Sequence, residues 1–260
     1  MLDARWMLAP FGPLFTACDL LTEKWVSTVH CSRPQVRPVP GSPPFNKIFC
    51  VGLHKTATRS MHRFFESLGL RSRHDTRWDK AILPLCAYRR YDCFSDGGAH
   101  FWDDRLEFGG NHRVRLLDHC FPNSKFILNT RDLESWLVSK MIHAGWNRAV
   151  DLPQASPRQL QDRDWRVKSK RVLVGWIRNR IKYHEKVRAY FEERPNDLLI
   201  VDFIQDADSI ERIKAFLGFS THGPVNRPWI GQTKDDQDKA YCRKIARKVL
   251  ADLDLLQKNN

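Results

Sequence analysis

The chain has 260 residues, 42% hydrophobic and 28% charged, with a formal net charge of +13 at neutral pH. That length and balance exclude a disordered or fibrous chain and allow one sizeable buried core, while the charge points to a polyanionic partner: nucleic acid, a membrane surface or a highly charged small molecule. Seven cysteines contain no CxxC pair and leave one over if paired. Reduced thiols in a cytoplasmic setting are therefore expected, with no metal site. No apolar run approaches the roughly 20 residues that span a bilayer. The apolar start Trp6–Phe15 is preceded by Asp3 and broken by Pro10 and Pro13, which is unlike a secretion signal.

In chain order, residues 1–45 read as an N-terminal arm and a Pro-rich connector, Ser32–Pro44, that suits neither helix nor central strand. A short apolar strand, Ile48–Val51, ends at Gly52. A polar loop follows, His54–Thr58, and then a helix with Met61, Phe64, Phe65 and Leu68 on one face, stopped by Gly69. Leu70–Asp75 reads as a second short strand. Residues 76–112 read as loops and short helices, with a turn at Phe94-Ser95-Asp96-Gly97. Arg115–Phe121 closes a helix, Lys125–Thr130 is a buried strand, and Arg131-Asp132 opens a junction into a helix carrying Trp136, Leu137 and Met141.

Gly145–Asp164 reads as a flap. A long helix over Trp165–Glu193 follows, with Val172, Trp176, Ile177, Ile181, His184, Val187 and Phe191 inward and Arg171, Arg178, Lys182 and Lys186 outward. The chain closes with a strand over Leu198–Asp202, a helix over Ser209–Phe216 stopped by Gly218, an irregular segment, and an amphipathic helix from Asp238 to Gln257. Strands alternating with helices predict an α/β fold, a parallel β-sheet flanked by helices, in a single domain over 46–260. Ligands of such sheets bind at the carboxyl ends of the strands, where Lys55, His74 and Arg131 all fall.

A strand, a tight loop with one lysine and a helix start together make an anion site. It is not the triphosphate loop GxxxxGK[ST], because Lys55 comes only three residues after Gly52. In the segment Lys125–Lys140, Arg131 stands at a strand end and Ser139 eight residues on, an arginine fork and a hydroxyl able to hold a second, separate phosphate. A ligand with two phosphate-type groups accounts for both.

These residues resemble the sulfotransferases that use 3′-phosphoadenosine 5′-phosphosulfate (PAPS). The lysine and small or hydroxyl residues of that family's 5′-phosphosulfate loop are matched by Lys55, Thr56, Ala57, Thr58, Arg59 and Ser60, and its 3′-phosphate motif by Arg131 and Ser139. Phe121–Leu128, Arg131–Trp136, Tyr183-His184 with Tyr190-Phe191, and Phe216–Gly218 leading to Pro224–Arg227 extend the similarity to the short bacterial-type branch, over roughly residues 46–228. Ala57 replaces the usual loop glycine, and Ser60 stands where many cytosolic members stack a tryptophan on adenine.

The resemblance implies a P-loop-NTPase-like sulfotransferase architecture and transfer of the sulfuryl group of PAPS to a hydroxyl of a small-molecule or carbohydrate acceptor, without metal. Lys55 would stabilise the bridging oxygen, the N–H groups of Thr56–Ser60 would cradle the 5′-phosphate, and Asn226 and Arg227 would close over the nucleotide. An acceptor alcohol needs a base: His74 is the first candidate, Asp96 its rival and Asp75 the third. Two other readings stay open. One is a P-loop kinase or NTPase, for which Asp202 would face magnesium. The other is a non-catalytic basic module for polyanions, although no interleaving of aromatic and basic residues suggests nucleic acid.

Overall fold

The computed structural model describes residues 45–75, 78, 88, 90–96, 110–143, 163–220 and 236–258. Residues 1–44, most of 76–112, nearly all of the segment 145–164, and Asn226 and Arg227 lie outside that set, so the expectations made for them are not addressed by it. The elements in chain order are β1 (Ile48–Cys50), α1 (Thr58–Ser67), β2 (Ser72–His74), β3 (Cys93–Ser95), α2 (Gly110–Cys120), β4 (Lys125–Asn129), α3 (Leu133–His143), α4 (Arg163–Tyr190), β5 (Leu198–Val201), α5 (Ser209–Phe216) and α6 (Asp236–Lys258).

The five strands form one sheet in the order β2-β3-β1-β4-β5, and every pairing is parallel. Because side chains alternate across a strand, each strand feeds two cores. Phe49, Phe94, Phe126 and Leu128 point to one face, where Val114, Leu117, Trp136, Leu173, Trp176 and Cys242 cover them from α2, α3, α4 and α6. Ile48, Cys50, Cys93 and Ile127 point to the other, against Met61, Phe64 and Phe65 of α1 and Ile210 and Ile213 of α5. Two covered faces are the reason these strands read as continuous apolar runs. The expected α/β class, a parallel sheet flanked by helices, is what the chain adopts.

Three details depart from the sequence reading. The stretch assigned to a turn at Phe94-Ser95 is β3, a strand hydrogen-bonded between β1 and β2; with three residues between Asp92 and Asp96 it is too short to carry a periodicity. The helix read as closing over Arg115–Phe121 begins at Gly110, inside the stretch read as loops and short helices, and is α2. Ile181, expected inward, is 42% exposed on the basic face of α4. Its neighbours Arg171, Arg178, Lys182 and Lys186 are exposed as expected. Among the described residues no helix is long and apolar enough to cross a membrane.

Candidate functional site

An all-parallel sheet delivers every strand's carboxyl end to one edge. The segment after β1 is built there by hydrogen bonds from the strands and helices around it. Gly52 N–H donates to Asn129 Oδ1 of β4 at 3.0 Å, and a Cβ at Gly52 would lie 2.0 Å from the Asn129 carbonyl oxygen, so only glycine fits. The same Asn129 donates from Nδ2 to the Thr56 carbonyl at 3.1 Å and to the Thr56 hydroxyl. Thr56 in turn donates to the Leu53 carbonyl, Trp136 Nε1 to the His54 carbonyl at 3.2 Å, and the Tyr183 hydroxyl to the Val51 carbonyl. These bonds hold the loop in a conformation its residues would not choose: Lys55 and Ala57 are both left-handed, with φ of 70° and 65°. Left-handed residues in such a turn aim backbone N–H groups into a common concavity. Helix α1 starts immediately after, with no side-chain cap from Ala57 and no acidic residue in its first turn; the first N–H groups of a helix have no partner within it and favour an anion.

Three buried or half-buried cations converge beside this concavity. The Lys55 ammonium has no hydrogen bond or ion pair among the described residues. Burial pushes it below the usual lysine range, Arg59 and Arg131 push the same way, and Asp96 opposes them. Arg131, two residues past β4, reaches the Lys55 carbonyl with Nη1 at a long 3.4 Å, and its Nε is buried without a partner among the described residues. Burial also lowers its pKa, against the opposing pull of Asp132 and Asp202. Arg180 of α4 lies over the Trp136 ring at 4.8 Å and donates from Nη2 to the Arg131 carbonyl and to Thr130 Oγ1, the latter at 3.2 Å. It is 6% exposed, its Nη1 has no partner among the described residues, and burial brings its pKa down to about 10. Guanidinium groups whose donors are left unmet in a buried place are at a large energetic disadvantage unless an anion joins them. Ser139 is half-buried in the second turn of α3.

On the β2-β3 side of the loop, a hydroxyl, an imidazole and a carboxylate meet. In the β2-β3 register His74 lies opposite Ser95, so Asp96 follows immediately beyond it. Thr58 Oγ1 lies 3.0 Å from Asp96 Oδ1 and 3.3 Å from His74 Nε2, and His74 Nε2 lies 3.9 Å from Asp96 Oδ2. Asp96 is itself left-handed, with φ of 68°. His62 packs behind His74 with ring centroids 5.7 Å apart and bonds Ser72 Oγ through Nδ1 at 2.9 Å. Asp75 points elsewhere, into an ion pair with Arg73 at 2.8 Å. Trp78 stacks on Phe49 in the core.

The structure thus gathers Lys55, Thr56, Ala57, Thr58 and Arg131 at one edge, with His74 and Asp96 touching Thr58, Arg59 exposed and Ser60 buried at the start of α1, and Ser139 on α3. Sequence reasoning did not find Asn129, Arg180, Lys140 or His143. Lys140, 1% exposed, lies 4.3 Å from the Trp176 ring centroid, and burial brings its pKa down to about 7. His143 lies 5.8 Å from His54, and burial and the Lys55 charge lower its pKa. Asp202 accepts from the backbone N–H of Ile204 and Gln205 through Oδ1, capping the turn after β5. No family profile and no curated protein matches this chain.

Proposed function

We propose that this protein is a PAPS-dependent O-sulfotransferase with a P-loop-like fold, moving the sulfuryl group to a hydroxyl of a small-molecule or carbohydrate acceptor and releasing adenosine 3′,5′-bisphosphate. The observation that carries the reading is the set of unmet cationic donors at one sheet edge. Lys55 rises from a left-handed loop at a helix start whose N-cap residue offers no side-chain cap, and Arg131 and Arg180 hold buried nitrogens without partners among the described residues. A nucleotide with a phosphate-type group at each end answers both halves. The loop would take the phosphosulfate end and Arg131, with Ser139, the 3′-phosphate.

Sulfuryl transfer proceeds by in-line attack through a loose transition state, with charge growing on the departing phosphate oxygen. An ammonium held beside that oxygen by a pre-shaped loop stabilises the charge where it develops. The capping role of the Asp202 carboxylate makes it a poor magnesium partner and weakens the triphosphate reading. The free thiols of Cys50 and Cys93 are in keeping with a reducing, cytoplasmic compartment.

The test is calorimetry with adenosine 3′,5′-bisphosphate in EDTA, followed by turnover of radiolabelled PAPS. The bisphosphate is expected to bind without metal, and Lys55→Ala to lower turnover by about 100- to 1000-fold. Absence of bisphosphate binding, together with binding of magnesium-ATP, would sink the proposal.

A further inference from the structure

The contacts around Thr58 decide a question of proton ownership. A hydroxyl has one hydrogen to give and two lone pairs to receive with. Thr58 Oγ1 has two neighbours within hydrogen-bond reach, Asp96 Oδ1 at 3.0 Å and His74 Nε2 at 3.3 Å. A carboxylate only accepts, so the Thr58 hydrogen goes to Asp96. The His74 contact is then satisfied only if His74 gives its own Nε2 hydrogen to Thr58. The reverse assignment, with Thr58 donating to a bare Nε2, would face two oxygen lone pairs across 3.0 Å. An imidazole that already holds its hydrogen on the nitrogen facing the site has no lone pair there with which to take another.

From this we infer that Asp96 is the general base of the transfer, and that His74, as the Nε2–H tautomer, and Thr58 are positioning residues that aim its carboxylate. The inference rests on the sulfotransferase reading. One further observation favours Asp96. Its charge acts on both Lys55 and His143, so the carboxylate lies within electrostatic reach of the lysine loop and of α3. Its left-handed backbone, φ 68° at the end of β3, is one that aspartate adopts readily, and it turns the chain there. In the step itself, a lone pair of the acceptor oxygen forms the new S–O bond. The bond from sulfur to the bridging oxygen breaks, with its electrons leaving on the adenosine bisphosphate. The acceptor's proton passes to Asp96 Oδ2, which later returns it to water. His62, packed on His74 and bonded to Ser72, holds the ring from behind.

Two experiments test this, and neither needs the natural acceptor. The first is long-range proton–nitrogen NMR of the full chain, with the His74 signals identified by their loss in His74→Gln. Protonation at Nε2 is expected; an Nδ1–H tautomer with a bare Nε2 overturns the assignment. The second is single-turnover release of inorganic sulfate from PAPS with water as acceptor. Asp96→Asn is expected to lower the rate by about 1000-fold while leaving adenosine 3′,5′-bisphosphate affinity nearly intact. In His74→Gln the side-chain amide still donates a hydrogen but cannot act as a base. Its rate is expected to fall by no more than about tenfold, with His74→Leu lower. If His74→Gln is as impaired as Asp96→Asn, or Asp96→Asn turns over normally, His74 is the base and the proposal fails. A wild-type protein that neither binds the bisphosphate nor releases sulfate removes the donor reading itself, a separate failure visible in the calorimetry.

Discussion

At the scale of single residues, the loop after β1 shows how one side chain more or less is felt. Ala57 holds φ at 65°, a region where Cβ crowds the following carbonyl by about 1–2 kcal/mol. Ala57→Gly is therefore expected to stabilise the protein by about 1 kcal/mol, or roughly 2–4 °C in thermal unfolding for a domain of this size; a lower melting temperature would show that the loop is not strained there. Lys55 and Arg131 were legible in the sequence because each stands just past an apolar strand. Arg180 was hidden among the many cations of its helix, yet a signal existed. It occupies the inward stripe with Leu173, Trp176, Ile177 and Tyr183, all buried. A cation at a stripe position marks burial that needs an anionic partner, and Lys140, in line with Trp136 and Leu137, carries the same signal.

At the scale of elements, continuous apolar runs and helical apolar stripes were readable, and the short strand β3 was not. β4 and β5 are continuous apolar runs, and α5 ends at Gly218, whose φ of 71° is the left-handed stop that glycine provides. β3 escaped because its three residues show no alternation and acidic residues bracket it; pairing with β1 and β2, which sequence does not display, makes it a strand. That omission mattered, since β3 carries Asp96 to the edge. Asn129 at the end of β4 was read as strand only, although a buried amide at a strand end must bond something. It accepts from Gly52 and donates to Thr56. Asn129→Asp keeps the acceptor but turns the donor into an oxygen facing the Thr56 carbonyl. It is expected to destabilise the fold by about 1–3 kcal/mol in urea unfolding and to weaken bisphosphate binding. Unchanged stability and affinity would show that the amide is not the tie that shapes the loop.

At the scale of the whole molecule, the net charge of +13 divides between two environments. The outward face of α4 is solvated, whereas Lys55, Arg131, Arg180 and Lys140 are largely withdrawn from water. His184 adds a pH dependence. Burial, with Arg180 and Arg188 nearby, brings its pKa down to about 3 from the ordinary 6.5. The unfolded chain takes up that proton as pH falls through about 6.5 while the folded chain refuses it until about 3, so stability is full above the first value and is lost between the two. His184→Leu is expected to flatten this limb, narrowing the loss between pH 7.5 and 4.5 by up to about 2–3 kcal/mol in urea unfolding. Parallel curves for the two proteins would show that His184 is not withdrawn from water.

The Asn129 tie also has a bearing on how binding and folding can be separated. β4 cannot zip onto β1 without bringing that amide against Gly52 and Thr56, so the act of completing the sheet also finishes the seat proposed for the anion. A molecule that has folded has formed its seat, and damage to the tie is felt as lost stability and lost affinity together. Substitutions that silence the site in an otherwise sound protein are therefore to be sought where side chains leave the frame, at Lys55 and the Arg131 guanidinium, and not in the frame itself.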